Sequence, residues 1–198
     1  MIKFNNINQE TPYLLFKSKY DEAIHAGQKN IEAISISSFN TKMQEVDSRY
    51  VNLKFITKNE FIFFSNYSSP KSSAFNFHNQ IAALLYWPCI NTQIRMKAEI
   101  KKTSNAYNQE YFFNRLEEKN ALAISSNQSK PIESYDLVKE NYNKSLKNDD
   151  LRKCPKYWGG FSFIPYYFEF WEGHESRINK RETFNKINGV WKQSFLQP

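Results

Sequence analysis

The sequence predicts a mainly β chain with flanking helices (an α+β fold), its strands closed or nearly closed into an antiparallel barrel. Three observations predict it. Short apolar segments of strand length follow one another across tight turns, as antiparallel neighbours do. Strand and helix do not alternate regularly, and the chain has neither a G-x-G-x-x-G loop nor a P-loop, which sets aside doubly wound α/β folds. Aromatic residues make up 17% of the chain, and flat apolar rings suit a β-rich core, a subunit interface or a pocket for a planar ligand.

The elements follow in order. Thr11-Pro12 opens a helix that reaches Ala26 and stops at Gly27, with proline in the first turn and glycine past the end. Residues 31–36 form a strand with Ile34 and Ile36 on one face. Residues 49–56 and 60–65 are two more strands, joined by a turn at Lys58-Asn59. A short helix covers 70–77. Residues 81–87 are a nearly continuous apolar strand, and 93–100 alternate through Ile94, Met96, Ala98 and Ile100 as a half-buried strand does. Ser104 caps a helix to about residue 118, and Ser134 caps another to about 147. Between them 121–131 is less regular, and 147–155 is polar loop. Residues 160–172 make an aromatic strand interrupted at Pro165, and 181–196 a hairpin about Asn188-Gly189.

Composition bounds the function. With 198 residues, 40% of them hydrophobic, the chain has the size of one domain spanning 1–198. No apolar run approaches the roughly 18 residues of a membrane span, and the start, MIKFNNINQE, carries no targeting pattern, so the expected compartment is the cytoplasm. Two cysteines and three scattered histidines lack metal-ligand spacing, and no metal is expected. The net charge of +7 permits anionic partners. There is no basic block, aromatic RNA-binding motif or Cys/His finger, so nucleic acid is not the expected partner.

Four clusters carry possible chemistry. Arg49 and Lys54 share one strand and can bind anions, yet five residues apart they fall on opposite faces unless a bulge intervenes. Two surface charges on an edge strand give the same pattern. Tyr111, Arg115 and Lys119 are spaced to share one helix face, where a phenol and a guanidinium can clamp a phosphate. A solvated face looks alike. Asn127-Gln128-Ser129 offers short polar groups, or is a plain turn. The fourth cluster is Glu169 to Gly173 followed by Arg177 to Arg181, in which Trp171 can flank a planar ring and the arginines an anion. A core aromatic beside a basic turn is the alternative.

Taken in order, the pieces RYVNLK, FIFFSNYSSPK, ALLYW, TQIRMKAEI, YFFNR, SNQSKPI, WGGF, FEFWEG and RINKR resemble the pyridoxamine 5'-phosphate oxidase family over essentially the whole chain. The resemblance implies a split β-barrel, a homodimer and FMN at the subunit interface. It places FMN binding on Arg49, Lys54, Phe64, Ser65, Lys71, Gln93, Gln128, Ser129, Trp171 and Arg181. It places the substrate phosphate on Lys54, Tyr111 and Arg115, with Lys119 beside them, and the catalytic group over the substrate on Arg177, Ile178 and Asn179. The implied reaction takes a hydride from C4' of pyridoxine or pyridoxamine 5'-phosphate to FMN. Oxygen is the final acceptor, and the products are pyridoxal 5'-phosphate and hydrogen peroxide.

The chain departs from the family pattern at several positions. Asn179 replaces a histidine, Lys119 a serine, Pro70 an arginine and Phe195 an arginine, and the Ser-Gln-Ile-Gly-Ala-Trp stretch is Lys119-Asn120-Ala121-Leu122-Ala123-Ile124. Two alternatives follow. One is an FMN oxidase of a reduced tricyclic substrate, as in the phenazine-biosynthesis branch, toward which the Leu-Gln-Pro ending leans. The other is a flavin- or pyridoxal-phosphate-binding protein without turnover.

Overall fold

Six strands close a ring in the computed structural model, which describes residues 1–198. They are β2 (Ala33–Asn40), β3 (Glu45–Thr57), β4 (Glu60–Asn66), β5 (Gln80–Trp87), β6 (Thr92–Lys102) and β7 (Trp158–Glu172). Around the ring β3 pairs with β2, β2 with β5, β5 with β6, β6 with β7, β7 with β4, and β4 with β3 again, every pair antiparallel. Closure removes the open edges that a flat sheet would leave.

The long strand β7 splits the architecture. Its first half, from Trp158 to Phe163, pairs with β4 inside the barrel. Its second half, from Tyr167 to Glu172, pairs with β8 (Lys180–Ile187), which pairs in turn with β9 (Val190–Phe195). Pro165 does not break the strand. The register along β6 jumps from Lys97–Tyr167 to Ala98–Pro165, so Tyr166 is an extra residue in a bulge that absorbs the missing N–H. The β8–β9 turn has φ of 50° at Asn188 and 81° at Gly189, the pair of positive angles of a type I′ hairpin.

Alternating side chains fill the barrel: Ile34 and Ile36, Phe61 and Phe63, Ile81, Ala83 and Leu85, Ile94, Met96 and Ala98, Phe161 and Phe163. The first helix, α1 (Thr11–His25), lays Tyr13, Phe16, Tyr20 and Ala23 against this core at helical spacing. Phe16 meets Phe61 edge-on at 5.2 Å and Trp87 at 5.8 Å. The remaining helices are α2 (Pro70–Phe77), α3 (Asn105–Phe113), α4 (Glu117–Ser125) and α5 (Tyr135–Asn148). No helix is long and apolar enough to cross a membrane.

Several expectations need correction. The helix expected from 104 to 118 is two helices, α3 and α4, with a turn between them. The buried Asn120 amide donates to Phe112 O at 2.8 Å, and Arg115 N–H bonds the same carbonyl, so it no longer serves a continuing helix. The stretch 121–131, expected to be less regular than its neighbours, is helical up to Ser125. The 31–36 and 49–56 strands extend to Asn40 and back to Glu45, because backbone pairing continues through polar residues that show no apolar alternation. A strand β1 (Lys3–Asn5) pairs in parallel with β3; three residues are too short to show periodicity. Cys89 and Cys154 are free thiols.

Candidate functional site

A cleft of about 840 Å³ opens between β3, β4, the start of α2, and the α3–α4 turn with the loop after α4. Lys3, Arg49, Lys54, Lys71, Arg115 and Lys119 line it, against the single carboxylate of Asp47. Arg49 and Lys54 reach the same cleft because the β3–β4 register shifts between Leu53 and Phe55, making Lys54 the extra residue of a bulge. The bulge resolves the opposite-face conflict posed by their spacing.

One corner holds Arg49, Ser65, Lys71, Gln128 and Ser129. Arg49 is set by Nη1 bonds to Ile36 O at 3.1 Å and Ser38 Oγ at 2.8 Å, with Asp47 at 3.5 Å. Lys71, in the first turn of α2, is only 7% exposed and has no acid partner. Its ammonium donates to Ser69 Oγ at 3.2 Å and Gln128 Oε1 at 3.3 Å. The same Gln128 oxygen accepts from Ser65 Oγ at 3.1 Å and Asn66 N at 3.3 Å, which ties the loop after α4 to the barrel. Ser129 sits at φ 66°, a left-handed conformation unusual for serine. Burial, helped by the nearby Arg49 charge, pulls Lys71 down to about 8. A buried cation with neutral partners only is arranged to receive an anion.

A pH dependence follows. An anion favours charged Lys71, so inorganic phosphate should bind more weakly as pH rises through about 8. The ligand-free chain should respond the other way. Its folded state sheds this proton at about 8, below the ordinary 10.5, so stability should rise with pH between those values and be lost as pH falls through 8. Phosphate titration and thermal melts at pH 7 and 9 check both signs.

The second corner holds Lys54, Tyr111, Arg115 and Lys119. These do not share one helix face, as their spacing suggested. Tyr111 lies on α3, Arg115 in the turn, and Lys119 in the first turn of α4; the turn is what draws them together. Phe64 and Tyr111 stack with centroids 3.7 Å apart, and Trp158 lies parallel to both. The Arg115 guanidinium sits 4.9 Å from the Trp158 ring centre. Burial raises Tyr111 above its ordinary value, partly offset by Arg115, and keeps it a hydroxyl donor. Burial lowers Lys54, opposed by Glu32 and assisted by the neighbouring charges of Lys119 and Arg115.

The remaining sequence candidates lie outside this cleft. Gln93, Trp171 and Arg181 occupy one row across β6, β7 and β8. Arg181 is engaged there, its Nε and Nη2 on Glu169 Oε1 at 2.9 and 2.8 Å and its Nη1 on Gln197 O. Glu169 is 2% exposed and also accepts from Arg95 and Tyr167. Arg177 and Asn179 stand on the β7–β8 loop. Arg177 is exposed at φ 61°, and Asn179 Oδ1 accepts from His174 N at 2.9 Å, closing the loop. The sequence reading missed Lys3, Asn114 and Leu116 in the cleft, and the role of Asn120 behind it. Lys3 carried no signal because its strand is so short.

Barrel and cleft together define a split-barrel protein with a cation-lined cleft. Residues 158–198 match the family model described as the pyridoxine 5'-phosphate oxidase C-terminal dimerisation region. The chain is 34% identical over 194 residues to a pyridoxine/pyridoxamine 5'-phosphate oxidase of Christiangramia forsetii, covering 96% of this chain and 89% of that one. It is 30% identical, with the same coverage, to pyridoxine/pyridoxamine 5'-phosphate oxidase 1 of Hydrogenovibrio crunogenus. Its fold matches PhzG from Burkholderia lata 383, solved in complex with tetrahydrophenazine-1-carboxylic acid, with a TM-score of 0.89 at 21% identity over 94% of this chain and 92% of that one. The chain belongs to the pyridoxine/pyridoxamine 5'-phosphate oxidase family, a family of FMN-dependent oxidases.

Proposed function

We propose that this chain is a cytoplasmic FMN-dependent oxidase of pyridoxine or pyridoxamine 5'-phosphate, a homodimer in which residues 1–198 act as one FMN-binding domain. The observation that carries the reading is the cleft itself. Two cationic corners, each almost free of acids, flank the Phe64–Tyr111 stack, which suits two phosphorylated ring compounds side by side. Arg49, Ser65, Lys71, Gln128 and Ser129 would hold the cofactor phosphate, a role their donors fit. FMN, when bound, supplies the hydride acceptor, and oxygen is the final oxidant. Lys54, Tyr111, Arg115 and Lys119 would grip the substrate phosphate and fix the ring in register.

Gln93, Trp171 and Arg181 would complete the cofactor site of the other copy. In support, the dimerisation-region match covers Trp171 and Arg181. Arg177 and Asn179 would reach over the substrate from their loop. Arg177 contributes charge, and Asn179 a hydrogen bond.

The test is direct. The purified protein should be a yellow dimer that releases FMN on denaturation. Anaerobic pyridoxamine 5'-phosphate should bleach the flavin, and air should restore it with peroxide formed. A reduced tricyclic carboxylate oxidised in preference would replace the substrate. No bleaching at saturating ligand would leave a binding protein without turnover.

A further inference from the structure

Arg115 is held in place without being neutralised. No carboxylate lies within 4 Å of it, although the chain has 20 acidic residues. Its guanidinium rests on the Trp158 ring, and Nη1 donates to Lys119 O at 3.0 Å and to Asn120 Oδ1 at 3.3 Å. Asn120 is fully buried, and its Nδ2 donates to Phe112 O and Leu151 O, both at 2.8 Å. That one side chain therefore joins the end of α3, the start of α4 and the segment after α5, and aims its remaining oxygen at Arg115. Every contact to the guanidinium is neutral: a carbonyl, an amide oxygen and a ring face. A carboxylate in the same place would orient Arg115 equally well but cancel the charge that an incoming anion needs.

We propose that Asn120 is a positioning residue for the phosphate end of the substrate, fixing Arg115 while leaving its charge undivided. The inference rests on the substrate-phosphate reading of Lys54, Tyr111 and Arg115 above. It deepens that reading by assigning selectivity for phosphorylated over dephosphorylated substrates to an amide that need not touch the substrate.

The experiment uses the FMN-loaded protein, with inorganic phosphate and pyridoxal 5'-phosphate as equilibrium probes and pyridoxamine 5'-phosphate for kinetics. Asn120→Asp should weaken binding of both probes by about tenfold or more. It should raise KM for the phosphorylated substrate rather than lower kcat, and leave KM for the dephosphorylated compound in place. Because one cation is neutralised, phosphate binding should also become less salt-dependent, which simple loosening of the turn would not produce. Asn120→Gln, which keeps the amide, should stay within about threefold of wild type. If Asn120→Asp fails to fold or loses FMN, Asn120→Ser decides, with a rise in Kd of about threefold or more expected for both probes and no change in KM for the dephosphorylated compound. Unchanged phosphate binding in Asn120→Asp, or in Asn120→Ser where the Asp variant fails to fold or loses FMN, overturns the proposal. Arg115→Ala, measured alongside, separates the two levels. A loss there with none at position 120 overturns the role of Asn120 alone, and no loss in Arg115→Ala overturns the substrate-phosphate reading and this inference with it.

Discussion

Replacing Lys71 by methionine should weaken FMN binding about 10- to 100-fold, the cost of losing one charge-assisted phosphate bond of roughly 1.5–3 kcal/mol. The corner proposed for the cofactor phosphate contains only two cations, Arg49 and Lys71, and Arg49 is partly shared with Asp47. Pro70 stands where the family pattern has an arginine, so no neighbour compensates. Methionine fills nearly the same volume and leaves no cavity in the first turn of α2. Two signs then separate a binding effect from a folding one. Affinity should fall, while the ligand-free variant should melt higher at pH 7, because an unpaired buried ammonium has been removed. The decline of affinity above pH 8 should also flatten. A variant that binds FMN as tightly as wild type, measured by fluorescence titration, would remove Lys71 from the cofactor site. One that merely melts lower would show that the lysine is structural.

What the sequence disclosed depended on how local the determining interaction is. The Asn188-Gly189 hairpin, the capping serines Ser104 and Ser134 and the α2 helix were legible because a few adjacent residues fix them. The α3–α4 break was not, because it depends on Asn120 capturing the Phe112 carbonyl and Leu151 O, a contact across 31 positions. The Lys54 bulge lies between these cases. Spacing posed the conflict with Arg49, and only the register against β4 resolved it. The candidate site divided in the same way. Single clusters such as Tyr111 with Arg115 had bland alternatives, and their order along the chain gave the resemblance its weight. Nothing in the sequence reading showed that ten of the candidates would line one cleft while Gln93, Trp171 and Arg181 form a separate row. Nor did it show Arg181 bound to the buried Glu169, since that pairing needs the outer faces of adjacent strands in register.

Asn179→His should raise kcat for pyridoxamine 5'-phosphate by about 10²-fold or more, within the 10²–10⁴ range that a placed acid–base group contributes. An amide can donate or accept a hydrogen bond but cannot hold a proton near neutral pH, whereas imidazole can. Asn179 is already committed within its own loop, where Oδ1 accepts from His174 N, and Arg177 N–H bonds His174 O. The loop is therefore closed by the residue that stands where the family pattern has its histidine. Histidine can keep that bond through Nδ1 and present Nε2 to the substrate, so the gain should come without loss of the loop. FMN affinity should not change, because Asn179 is not among the residues proposed to hold the cofactor, inside the cleft or on the Gln93–Trp171–Arg181 row. The variant's rate should acquire a pH dependence near the imidazole value of about 6.5, absent from wild type. Asn179→Ala gives the complementary measurement. It removes the loop closure without adding a base, so KM should rise and no new pH dependence should appear. A histidine variant no faster than wild type would mean that position 179 only orients the ligand. If wild type also fails to bleach its flavin at saturating pyridoxamine 5'-phosphate, the substrate is another compound or the protein binds without turnover, and the proposed cofactor role of Arg49 and Lys71 is decided separately by the FMN titration of Lys71→Met.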